Sequence, residues 1–164
     1  MQERIIEKGL SGAYLLIGNK KGGDNTARIE KSAEIKAPVE KVYALCTDVE
    51  NYPKFMVSAD EITKLGENKF HWKSSVGGRA IEFDTEMVES VENKKLAWQS
   101  VGDFAAKGSW MLEPTDEGTK VEMVMDYEIP GIMGKIFDKV KVSKEMEKSM
   151  ETSLQKFKEI LEGS

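Results

Sequence analysis

Residues 69–90 read KFHWKSSVGGRAIEFDTEMVES, and their alternation decides the architecture. On either side of Gly77-Gly78, apolar and polar side chains exchange places at every step. Phe70, Trp72 and Ser74, then Ile81, Phe83, Thr85 and Met87, share one face; Lys69, Lys73, Glu82, Asp84 and Glu86 share the other. A period of two punctuated by paired glycines predicts an antiparallel hairpin with one dry face and one wet face. The pattern continues outward. Strand-like runs at 61–65, 95–101, 105–113 and 119–129 are separated by Gly66-Glu67-Asn68, Glu92-Asn93-Lys94, a Gly102-Asp103 turn and Asp116-Glu117-Gly118. Leu96, Trp98, Trp110, Leu112, Val121, Met123, Met125 and Tyr127 prolong the dry face, while Lys95, Gln99, Lys120, Glu122 and Asp126 prolong the wet one. Consecutive hairpins of this kind make a meander.

Upstream, residues 28–35 read as one more strand, which Ala37-Pro38 ends; Pro38 suits the first turn of a helix over Val39–Thr47. Pro53 keeps a regular helix from running through Asp48–Phe55, so a second short helix or turn is expected there. Downstream of Pro130-Gly131 nothing interrupts a helix until Gly163. Its apolar stripe, Ile132, Met133, Ile136, Phe137 and Val140, slips phase before Met146, Met150, Leu154, Phe157 and Leu161. The slip predicts a break near Lys141–Lys144, with a short lid-like helix ahead of a long one. The expected fold class is α+β: a curved antiparallel sheet of about seven strands, two short helices after the first strand, and a long C-terminal helix across the concave face. Residues 28–164 form this domain. Residues 1–27 are expected to supply an amphipathic helix, with Ile5, Ile6, Leu10, Ala13, Tyr14 and Ile17 on one side, and a linker at GNKKGGDNT, residues 18–26.

Composition narrows the function classes. The chain has 164 residues and a formal charge of -5, so no global positive field gathers nucleic acid. A single Cys46 and a single His71 exclude a disulfide scaffold and a His/Cys metal centre. The apolar stretch Leu10–Ile17 is too short to span a bilayer and no signal-peptide pattern is present, so a cytoplasmic protein is expected. Lys135, Lys139, Lys141, Lys144 and Lys148 give residues 135–148 a net charge of +2. That stretch reads as a solvated helix face, with peripheral docking to an anionic membrane as the functional alternative.

Catalytic constellations are scarce. His71 falls between Phe70 and Trp72, hence on the wet face, and Cys46 reads as a small buried thiol without a basic partner. Glu82, Asp84 and Glu86 lie every second residue along a solvated strand face and lack a calcium-loop spacing. Gly131-Ile132-Met133-Gly134-Lys135 has the wrong spacing for a phosphate loop, and Ile136 replaces its hydroxyl residue. Ser74, Thr85, Ser100 and Tyr127 put hydroxyls on the inward face without a basic partner. No catalytic residue, metal or cofactor is assigned. By contrast, thirteen aromatic residues and nine methionines exceed what closing a sheet with one helix requires. Core packing explains any one of them; the set suggests an apolar cavity, because pockets for small molecules are concave, mainly apolar and sparsely polar.

Ala37-Pro38-Val39-Glu40-Lys41-Val42-Tyr43, Asp48–Met56, Gly108-Ser109-Trp110-Met111-Leu112-Glu113-Pro114 and Tyr127-Glu128-Ile129-Pro130-Gly131 resemble the START-like helix-grip superfamily, SRPBCC. In particular the chain resembles the polyketide cyclase/dehydrase and lipid-transport family, with its coenzyme Q-binding relatives. The resemblance covers about residues 28–162 and implies a deep cavity between the C-terminal helix and the sheet, with the short helices near its mouth. The expected lining is Tyr52, Phe55, Trp72, Phe83, Trp98, Trp110, Met123, Tyr127, Met133, Phe137 and Met150. The expected function is binding or transport of a lipophilic small molecule such as a lipid, quinone or polyketide. Two alternatives stand beside it: a cyclase or dehydratase using the same cavity, and a protein-interaction module.

Overall fold

Between β3 (Lys69–Val76) and β4 (Arg79–Val91) the chain reverses, and Gly78 adopts φ +80° there, which only glycine takes without strain. The structure, a computed structural model, describes residues 26–76, 78–102, 105–128 and 139–163. The expected N-terminal helix, most of the linker and the segment 129–138 lie outside the described residues. Seven strands form one sheet in the order β1-β7-β6-β5-β4-β3-β2. The other strands are β1 (Thr26–Ile35), β2 (Ala59–Lys64), β5 (Lys95–Val101), β6 (Ala106–Thr115) and β7 (Gly118–Glu128), and every neighbouring pair is antiparallel. β2 to β7 are the expected meander, and β1 returns to pair with β7.

Pro38 stands at the N-cap of α1 (Val39–Thr47), one residue before the first turn, with its carbonyl accepting from the Val42 N–H at 3.1 Å. A 3-10 helix, Val49–Lys54, contains Pro53, in keeping with the tighter turn that follows when an α-helical hydrogen bond is lost. α2 (Lys139–Gly163) closes the concave face. It is fastened at its far end, where Lys158 Nζ donates to the Glu34 carbonyl and the Lys36 N–H donates to Glu162 Oε2.

Two expectations need correction. α2 runs through Lys141–Lys144 without a break. Val142 is buried, so Val142, Met146, Ser149, Met150, Ser153, Leu154, Phe157 and Leu161 make one continuous stripe. The stripe keeps its phase because Val142 carries it on from Met146. Second, Asp126 and Lys95 belong to the wet face by parity yet are buried, at 1% and 9% exposure. Asp126 sits on a central strand opposite Arg28 on β1 and Lys107 on β6, whose long side chains roof it over. Its carboxylate holds Arg28 Nη1 at 3.1 Å. Burial raises the Asp126 pKa to about 6, against the lowering pull of Arg28. Lys95 pairs with Glu89 at 2.9 Å, just past a bulge between Met87 and Glu89.

Candidate functional site

Alternation along β3 to β7 aims Trp72, Phe83, Trp98, Trp110 and Met123 at the concave face, and α2 lays Met146 and Met150 above them. Between sheet, 3-10 helix and α2 these side chains leave a partly open cavity of about 100 Å³. Tyr52, Trp72, Phe83, Trp98, Trp110, Met123 and Met150, all expected from the sequence, line it. Two expected residues stand elsewhere. Phe55 lies behind the wall, its ring 5.0 Å from Phe157 and 6.3 Å from Trp110. Tyr127 is buried lower on β7, where its hydroxyl donates to Ser143 Oγ at 3.3 Å. Tyr127 follows strand parity to the concave side, but parity says nothing of whether a residue meets a hollow or another side chain, and Phe55 follows the 3-10 helix, where no strand parity applies. Met133 and Phe137 lie outside the described residues.

The rings form a chain from solid core to cavity. Phe157 and Trp110 are 4.7 Å apart, Trp110 and Tyr52 6.1 Å, Tyr52 and Trp72 5.9 Å, and Trp72 stacks on Phe83 at 5.7 Å with 14° between planes. The two contacts of Tyr52 with the indoles are edge-on, the arrangement that suits the ring quadrupole. The Tyr52 hydroxyl donates to the Cys46 carbonyl at 2.5 Å and bonds Trp110. Burial pushes its pKa well above the usual tyrosine range, and pushes the Cys46 thiol up as well, so both groups stay protonated near neutrality. Gly108 permits the close approach of Trp98: a Cβ there would come within 2.5–2.7 Å of the indole ring.

The polar atoms of the wall are nearly all hydroxyls. Trp72 Nε1 donates to Thr85 Oγ1 at 2.9 Å, and Ser58, Ser74 and Ser149 complete the set, while Ser109 borders the cavity beside Trp110 on β6. Ser100, another expected inward hydroxyl, accepts from the Ala106 N–H at 2.9 Å and does not line the cavity. No described lining residue carries a charge. Sequence reasoning missed Ser58 and Ser149, because one lies in a turn and the other inside a helix, where no strand parity applies. A wider, more open hollow of about 460 Å³ lies on the outer face, lined by Lys94, Lys95, Lys120, Glu113 and Glu122 among others. Its larger volume is that of an open groove with both charge signs on its walls, whereas the inner cavity has the apolar enclosure that small-molecule sites share.

On the outer face His71 accounts for the acidic strand. Its Nδ1 bonds Asp84 at 2.7 Å and its Nε2 bonds Glu82 at 2.9 Å, and these carboxylates raise its pKa. Among the described residues no group of three or more His, Cys, Asp or Glu is arranged to hold a metal ion. No described helix is long and apolar enough to cross a membrane.

Open antiparallel sheet, paired short helices and one long gripping helix define a helix-grip domain with an internal cavity. Residues 26–162 match the family described as polyketide cyclase / dehydrase and lipid transport, and the chain belongs to that family. It is 30% identical over 138 residues to an uncharacterised 17.2 kDa protein of Streptomyces lincolnensis, covering 83% of this chain and 90% of that one. A Thermus thermophilus protein superposes with a TM-score of 0.71 at 24% identity, over 82% of this chain and 97% of that one. A START superfamily protein from Mycobacterium smegmatis superposes with a TM-score of 0.66 at 19% identity, over 82% and 98% of the two chains. At these identities the two structures share the fold.

Proposed function

We propose that the protein binds, and carries, a compact lipophilic molecule in the cavity between the sheet and α2. One observation carries the reading: Trp72, Phe83 and Trp98 remain only partly buried on the concave side, around a hollow with an uncharged wall. Core aromatics ordinarily interlock until such space is gone. A guest that covers these rings gains about 25 cal/mol for each Å² of apolar surface removed from water. The methionines at the helix side, Met146 and Met150, have the unbranched, adaptable side chains that accept guests of varied outline. The family description is consistent with this role.

That description also covers cyclisation and dehydration. Such chemistry uses an acid or base held within reach of the substrate. The described wall offers hydroxyls without a basic partner, so binding without turnover is the better supported reading. Native mass spectrometry of gently purified protein is the test. A co-purifying lipophile, removed by organic extraction and regained from a lipid library, is expected. A clean apo mass with no retention from the library would overturn the proposal.

A further inference from the structure

The cavity has one polar corner, built from three elements. Ser58 precedes β2, Ser74 lies near the end of β3 and Ser149 is on α2; all three line the cavity. The backbone brings them to one place. Ser74 pairs with Ala59, the neighbour of Ser58, and the Ser75 N–H donates to the Ser58 carbonyl at 3.0 Å. The helix is pinned to the same turn, since the Val57 N–H donates to Ser153 Oγ at 2.9 Å while that hydroxyl donates to the Ser149 carbonyl at 2.8 Å. Ser153 therefore spends its hydroxyl on structure. The hydroxyls of Ser58, Ser74 and Ser149 have no protein partner among the described residues, and Ser74 is 5% exposed. Buried hydroxyls are nearly always hydrogen-bonded, so an unpartnered one on a cavity wall marks a place where a guest atom can bond.

Resting on the binding reading above, we infer that this seryl corner fixes the polar end of the guest, and that this end is an uncharged oxygen such as a ketone, quinone carbonyl or hydroxyl. Seryl hydroxyls donate to a carbonyl and can also accept from a hydroxyl. They do not neutralise a carboxylate or phosphate, and the wall holds no lysine or arginine among the described residues. An anionic head group moved here from water would lose its hydration without a counter-charge. The corner thus selects against free fatty acids and for neutral ring ketones or phenols, whose apolar bodies lie against Trp72 and Phe83.

Three matched probes test this by isothermal titration at pH 7.4: indane, 1-indanone and indane-1-carboxylate. Indanone is expected to bind about fivefold or more tighter than indane, the increment of one well-made hydrogen bond, and indane-1-carboxylate about a hundredfold weaker than indanone. Ser58→Ala, Ser74→Ala and Ser149→Ala, singly and together, are expected to abolish the advantage of indanone over indane, read as the ratio of the two affinities within each variant so that a change in the wall common to both probes cancels. Indane serves as the folding and cavity control. Equal affinity for indanone and the carboxylate, or an indanone advantage that survives the triple substitution, overturns the seryl corner while leaving the cavity intact. Failure of indane itself to bind would sink the underlying binding reading.

Discussion

The two ends of the sheet are packed differently although they share one alternating pattern. Under β1, β7 and the distal half of α2, Ile35, Val42, Val121, Leu154, Phe157 and Leu161 are sealed at 5% exposure or less. Under β3, β4 and β5, the equivalent inward positions Trp72, Ile81, Phe83, Met87 and Trp98 stay partly open. Tyr52 stands at the boundary, touching Phe55 and Trp110 on one side and Trp72 on the other. The contrast separates two uses of apolar surface: stability where side chains meet each other, and reception where they meet a hollow. The same composition serves both, because what differs is whether a helix side chain descends to fill the gap.

Substitutions can break that contrast, beginning with the solid end. Phe157→Ala removes a fully buried ring from between Phe55 and Trp110 and should cost about 3–5 kcal/mol in chemical denaturation, near the whole stability of many domains. Phe83→Ala at the hollow end should cost less than half as much while weakening ligand binding; equal costs would erase the distinction. Gly108→Ala drives a methyl against the Trp98 indole. Overpacking of this kind costs about 1–3 kcal/mol, and a shift in tryptophan emission should accompany it. Met146→Trp should fill the hollow from the helix side, reducing lipophile affinity at least tenfold with stability held within about 1 kcal/mol. A bound lipophile that tolerates this indole would place the site elsewhere.

The smallest expected effect is on the outer face and depends on pH. His71 has a raised pKa in the folded protein, so its contribution is complete below the ordinary histidine value and is lost as pH rises through the folded one. Asp126 acts in the same direction at lower pH. Its pKa rises from 3.8 to about 6, so its protonated form favours folding, and that contribution declines as pH climbs between those values. Thermal midpoints of the wild type should therefore carry a component that falls from pH 4 to pH 8. His71→Gln should flatten its upper part and Asp126→Asn its lower part. Unchanged slopes in both variants would remove these groups from the pH response.

The hairpin alternation around Gly77-Gly78 and its extension from residue 61 to residue 128 were legible because strand parity is local: each residue's face follows from its neighbour's. The short helices followed from Pro38 and Pro53, and the long helix from the absence of any breaker before Gly163. Trp72, Phe83, Trp98, Trp110 and Met123 border the cavity for the same reason, whereas Tyr52 and Met150 reach it from the 3-10 helix and from α2. Where parity met a non-local effect, it misled. Arg28 is distant from Asp126 in the chain yet roofs it, and Val142 carries the helical stripe only because α2 rolls that side chain onto the sheet.

Amino-acid order alone determined which strand side chains look inward, since alternation is a property of the extended backbone. Tertiary structure alone decided which inward side chains touch one another and which face empty space. It also gathered Ser58, Ser74 and Ser149 from a turn, a strand and a helix into one corner. Cavities and polar corners are differences between surfaces brought together from afar, and no single segment contains them.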